Sequence, residues 1–231
     1  MIIEFIGIPG AGKTAARDLL VQHLRNSNRT VYDRKMLEIL LYGGCFRLYF
    51  FYLKIIARLI YAHIVSGDYR GLLNCYYFRV AYWAFKDIYL LECLVSKNPL
   101  KEGELYIPEE GLAQHILAAT VWSNRSDLFF SRFSQILRSE LVLVNMETDL
   151  EQALARINQR GYPETWPQKF RNEQLAAELL KSFAAKKSEV LAKFSEAGGV
   201  AYSIDNTGTI DELNMNLQAL LKELGCAAAV R

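Results

Sequence analysis

The 231-residue chain predicts an α/β fold, a three-layer sandwich whose mostly parallel five-stranded sheet is covered by helices and interrupted by one large helical insertion. Three observations predict it. Five short apolar segments are rich in strand-favouring residues, helical patterns alternate with most of them, and a glycine-rich turn joins the first apolar segment to the first helix. Strands without a polar face need cover on both sides, which helical crossovers between parallel strands provide. Sheets of this kind take ligands at the carboxyl ends of their strands.

The first strand is Met1–Ile6, broken only by Glu4, and it reads as a central strand rather than a signal peptide. It enters Gly7-Ile8-Pro9-Gly10-Ala11-Gly12-Lys13-Thr14, which fits G-x-x-x-x-G-K-[ST] at every fixed position. An amphipathic helix follows over Ala15–Leu24. Strand, glycine turn and helix stand in the order a phosphate-binding loop requires. Gly7, Gly10 and Gly12 allow tight backbone geometry, so that amides along the loop point inward at phosphate oxygens. Gly7, Pro9, Gly10, Ala11, Gly12, Lys13, Thr14 and Ala15 are therefore the expected nucleotide-binding residues. Lys13 reaches the terminal phosphates of ATP, the Thr14 hydroxyl holds Mg2+, and the helix start adds unpaired N–H groups. The fold class is accordingly a P-loop NTPase sandwich.

Thr30–Tyr32 is the second strand, and Asp33 and Arg34 at its end are candidate acceptor contacts. Residues 35–101 form a helical insertion within one domain spanning 1–231, since no Pro/Gly/Ser-rich linker divides the chain. Two aromatic, apolar helical segments run from Phe46 to Val65 and from about Leu72 to Val95. Arg47, Lys54 and Arg58 fall on one helical stripe of the first. From Arg34 to Lys101 ten basic residues stand against four acidic ones, a local charge of +6. Three readings of the insertion stay open: ordinary packing with solvated charges, a roof over the acceptor pocket, or contact with an anionic membrane surface or a partner helix.

Over the whole chain 27 Lys and Arg balance 25 Asp and Glu, and a formal charge of +2 gives no argument for nucleic acid. The four cysteines form no C-x-x-C pair and read as buried free thiols in a reducing, cytoplasmic setting. The three histidines are too scattered for a metal cluster, and His115 reads as structural. No stretch approaches eighteen uninterrupted apolar residues, so no transmembrane span is expected, while peripheral membrane contact and a homodimer stay compatible.

Glu104–Pro108 is the third strand, and Glu109-Glu110-Gly111 follows it directly. Glu109 is the first choice for the acid that orders magnesium or accepts the acceptor's proton, with Glu110 an acceptor-side candidate. Arg125, in a polar linker, is a weaker one. After the fourth strand, Leu141–Asn145, Thr148 and Glu151 predict a capping box. Arg156 and Arg160 share a face of that helix, ahead of Gly161-Tyr162-Pro163, and suit clamping of a transferring phosphoryl group. The fifth strand, Gly199–Ile204, leads into Asp205-Asn206-Thr207-Gly208, where Asn206 marks a loop placed to pass beside adenine. A helix is expected from about Ile210 to Leu224.

GIPGAGKT, YIPEEGLAQH, RINQRGYP and SIDNTGTIDEL together resemble the P-loop small-molecule kinases, especially the nucleoside-monophosphate and thymidylate kinase-like group. The insertion is unmatched. The resemblance implies an ATP- and Mg2+-dependent phosphotransferase, with Lys13, Glu109, Arg156 and Arg160 catalytic and Thr14 and Glu109 on the metal. Thymidylate kinases typically carry Asp-Arg-Tyr or Asp-Arg-His where this chain has Pro108-Glu109-Glu110-Gly111, which leaves the acceptor open among nucleotides, nucleosides, sugars and related compounds. The alternative is a nucleotide-dependent switch or assembly protein. Against a GTPase, the chain has neither Asn-Lys-x-Asp nor a suitably placed Asp-x-x-Gly.

Overall fold

A computed structural model describes residues 1–42, 45–66, 75–97, 100–122, 141–162 and 166–226. Every residue of β1 (Ile2–Ile6) is buried, a burial that only a strand with neighbours and helices on all sides can have. It occupies the middle of a parallel sheet of order β2-β3-β1-β4-β5. β2 (Val31–Tyr32) and β3 (Leu105–Tyr106) are two residues each, shorter than the sequence indicates. β4 (Leu141–Glu147) and β5 (Val200–Asp205) are longer. Ile2 sits opposite both Tyr106 and Leu141, and Ile6 opposite Asn145.

From β1 the chain moves to one side, through β2 and β3, and from β3 it crosses to β4 on the other side. The switch point lies between β1 and β3. It places the loops after these two strands next to each other at the carboxyl edge of the sheet.

The described helices are α1 (Lys13–Asn26), α2 (Arg34–Tyr42), α3 (Cys45–Ser66), α4 (Cys75–Lys97), α5 (Leu112–Trp122), α6 (Leu150–Arg160), α7 (Glu173–Glu196) and α8 (Ile210–Glu223). The expected capping box at Thr148 does not form. Asp149 is the N-cap of α6, without a side-chain bond, and the Thr148 hydroxyl instead donates to Gln152 Oε1 at 2.9 Å. The reciprocal box forms at α8, between Thr209 and Glu212.

In the insertion, α4 buries Tyr77, Ala81, Ala84, Ile88 and Leu91, a 4-3-4-3 spacing that keeps one face on the core. Two cations of the predicted stripe turn toward α4. Lys54 Nζ donates to the Tyr89 hydroxyl at 2.6 Å, and Arg58 lies 4.9 Å from the Tyr89 ring and 3.9 Å from Glu92. The Arg47 side chain lies outside the described residues. Among the described residues, no helix is long and apolar enough to cross a membrane. Cys93 is half-buried and Cys226 buried, both as free thiols.

Candidate active site

Gly10 and Gly12 adopt φ of +85° and +82°, the left-handed region where a side chain is strained. A Cβ on Gly12 would lie 2.2 Å from Asn206 Nδ2, and one on Gly10 would lie 2.5 Å from the Ala153 carbonyl oxygen. The β1–α1 loop is therefore clamped from outside. Asn206 Nδ2 donates to Ala11 O at 2.7 Å, its backbone N–H donates to Glu147 O, and its carbonyl accepts from Arg156 Nη2 at 2.8 Å. Arg156 Nη1 also donates to Gly10 O at 3.3 Å, and Gln114 on α5 accepts from the Gly7 N–H at 3.1 Å. The Asn206 side-chain N–H group therefore braces the loop, while its backbone groups are bonded to Glu147 and Arg156.

Ala11 is fully buried and Pro9 half-buried, while Thr14 and Ala15 are exposed on the first turn of α1. Lys13 Nζ folds back onto Gly7 O at 2.9 Å and Ile8 O at 3.1 Å. Burial lowers its pKa to about 8, Arg160 and Lys187 push the same way, and Glu110 opposes them. Left-handed glycines, space that a Cβ would fill, and an ammonium resting on its own loop carbonyls fit the tail of a nucleoside triphosphate. Among the described residues no cluster of three His, Cys, Asp or Glu could hold a metal. Mg2+ needs no such cluster beside phosphates, and Thr14 offers a hydroxyl on the exposed first turn of α1.

On the other side of the switch point lies a buried polar cluster. Asp87, from α4 of the insertion, accepts from Arg34 Nη2 at 2.7 and 3.0 Å and lies 2.6 Å from His115 Nδ1. His115 Nε2 lies 3.5 Å from Glu110 Oε2, and Arg34 also donates to the Glu110 carbonyl. Trp83 stacks on the His115 ring at 6.1 Å, with Arg34 and Lys86 against the same indole. Burial works against charge on His115, but Asp87 and Glu110 outweigh it and raise the imidazole to about 9. The His115 contact, resisted by burial and reinforced by Lys13 and Arg34, lowers Glu110 to about 2. That carboxylate is 63% exposed, so solvent screens part of the pairing. Beneath the cluster, burial raises Glu4 to about 7 while its carboxylate accepts from the Ala113 N–H at 3.0 Å. Gly111 permits this approach, because a Cβ there would meet the Glu4 carboxyl at 2.3 Å.

Of the remaining candidates, Glu109 is exposed at the same strand end. Asp33 is occupied as the cap of α2, accepting from the Met36 N–H at 2.8 Å, whereas Arg34 joins the polar cluster. Arg160 is exposed, one helical turn beyond Arg156. Arg125 lies outside the described residues. Sequence reasoning missed Asp87, Gln114 and Lys187, and read His115 as structural. One signal was available: polar residues at buried positions of an apolar helix need partners, as at Gln114 and His115 on α5.

Solved structures share this fold. Deoxyadenosine kinase from M. mycoides with bound dCTP matches with a TM-score of 0.53 at 14% identity, over 97% of this chain and 99% of that one. The YorR protein in complex with phosphorylated GDP from Bacillus subtilis matches at 0.50 and 14%, over 97% of each chain. The fold is that of a P-loop kinase. Shikimate kinase from Acinetobacter baumannii in complex with shikimate aligns at 0.45 and 16% identity, over 97% of this chain and 93% of that one. No protein-family model and no curated protein matches the chain. Identities this low establish the P-loop kinase fold alone, and the roles of individual residues rest on the geometry above.

Proposed function

We propose that the chain is an ATP- and Mg2+-dependent phosphotransferase that moves the terminal phosphoryl group to an oxygen of a small-molecule acceptor. One observation carries the reading: Lys13, bonded to the Gly7 and Ile8 carbonyls, feels the charges of Arg160 and Lys187 and the opposite charge of Glu110, while Arg156 bonds Gly10 of the same loop. Negative charge on the transferring group needs the cations, and an incoming hydroxyl needs the carboxylate.

In the proposed step the bond from the γ-phosphorus to its bridging oxygen breaks, a bond to the acceptor oxygen forms, and ADP leaves. Glu110, kept ionised by its low pKa, orients the acceptor hydroxyl as a hydrogen-bond acceptor, and the hydroxyl proton is released to solvent once the new bond has formed. Lys13 gives up its own loop carbonyls for the phosphates. Thr14 and Glu109 would hold magnesium, which when bound neutralises charge on the phosphate oxygens. Arg156 keeps the loop in shape through Gly10 and Asn206, leaving Arg160 to meet the phosphoryl group.

The kinases named above support the reading at the level of fold. The test is ADP formation from Mg-ATP by purified protein offered nucleosides, nucleotides and sugars, with products identified by mass spectrometry. A phosphorylated acceptor formed in step with ADP is expected. Nucleotide binding without any acceptor-dependent product would favour a nucleotide-gated switch instead.

A further inference from the structure

We propose that Asp87 and His115 are positioning residues for Glu110: the carboxylate of the insertion orients the imidazole, and the second ring N–H holds the Glu110 carboxylate toward the mouth of the phosphate loop. This inference rests on the phosphotransferase reading and deepens it, because it makes the insertion part of the acceptor side of the site.

The geometry of the ring leaves little freedom. Its Nδ1 faces Asp87 at 2.6 Å and its Nε2 faces Glu110 at 3.5 Å, and ionised carboxylates only accept. Nδ1 donates to Asp87 and Nε2 lies within ion-pair reach of Glu110, and two flanking carboxylates favour the imidazolium. Asp87 and His115 are 3% and 7% exposed, so both are withdrawn from solvent, while Glu110 reaches the surface. The upward shift of His115 agrees with this arrangement. The charged and titratable groups facing it are Asp87 from α4, Glu110 after β3, Arg34 at the start of α2 and Glu4 from β1. Trp83 of α4 covers one face of the ring. Tyr106 of β3 lies beside Arg34 and completes the shell.

The consequence is mechanical. Asp87 ties α4 to α2 through Arg34 and to α5 through His115, so its removal frees the Glu110 carboxylate without touching the nucleotide loop. A merely structural Asp87 would change stability alone. A positioning one changes turnover at constant ATP affinity.

Two measurements test this on the full chain. In 15N-histidine NMR spectra, with His115→Gln for assignment, the wild-type His115 ring is expected to be doubly protonated at pH 7.5. Asp87→Asn should lower its titration midpoint by at least one pH unit. A neutral ring in the wild type, or a midpoint unmoved in Asp87→Asn, overturns the proposal. In the second measurement, phosphate release from Mg-ATP with water as acceptor should fall at least tenfold in folded Asp87→Asn and His115→Gln, with ATP affinity within twofold of wild type. Unchanged release in both variants also overturns it. If the wild type neither binds ATP nor releases phosphate, the phosphotransferase reading fails, and the NMR result still decides whether Asp87 sets the state of His115.

Discussion

Gly12 carries two constraints at once, a left-handed backbone and an Asn206 amide where a side chain would begin. Gly12→Ala is expected to cost about 1–3 kcal/mol of stability and to abolish measurable ATP binding, as denaturant titration and calorimetry would show. His115 carries a different signature. Its folded pKa of about 9 lies above the ordinary value of 6.5, so its contribution is complete below pH 6.5 and lost as pH rises through 9. Measured from pH 6 to 9.5, wild-type stability should fall relative to His115→Gln by up to about 3 kcal/mol. Parallel curves would refute that. Lys13 also titrates with a shifted value but is common to both proteins and cancels, whereas Glu4, held down in part by His115, rises further in the variant and narrows the difference.

At the scale of elements, α6 divides its two arginines by one turn. Arg156 is bonded to the carbonyls of Gly10 and Asn206, while Arg160 is exposed and close enough to lower the Lys13 pKa. Arg156→Ala should therefore weaken ATP binding roughly tenfold, about the loss of one charge-assisted hydrogen bond. Arg160→Ala should lower turnover while leaving ATP binding nearly intact, a split that paired calorimetry and rapid-quench kinetics can read. The insertion has its own anchor in the ion pair of Lys86 with Glu38, 2.6 Å apart at 5% and 8% exposure. Lys86→Met alone should destabilise by about 3–5 kcal/mol, and adding Glu38→Leu should recover most of the loss. Denaturant curves on the single and double variants check the pair.

The phosphate loop was legible because its information is local: the glycines, lysine and threonine fall within eight residues, and the flanking strand and helix confirm them. The acceptor side was legible only in part. Asp87 and His115 are 28 residues apart and meet because α4 packs on α5, which spacing within one helix cannot report. A hint existed in Asp87, three residues after buried Ala84 and four before buried Leu91 on the core face of α4. The capping box was misplaced for a similar reason. The T-x-x-E pattern occurs twice, and Gln152 competes for the Thr148 hydroxyl. Lys54 and Arg58 share one helix face and both lie against Tyr89 of α4, with their side chains exposed.

At the scale of the whole molecule, the sheet order brings the ends of β1 and β3 together, and Asp87 of the insertion bonds Arg34 beside them. The proposed reaction puts donor, transferring group and acceptor at one edge of the sheet, and each part of it presupposes that the β1–α1 loop takes up a nucleoside triphosphate. Isothermal titration calorimetry of wild type and Lys13→Ala with Mg-ATP addresses this most directly. Saturable uptake of one equivalent by wild type, lost in the variant, is the predicted result. Absence of any binding heat from well-folded wild-type protein with either ATP or GTP would contradict it.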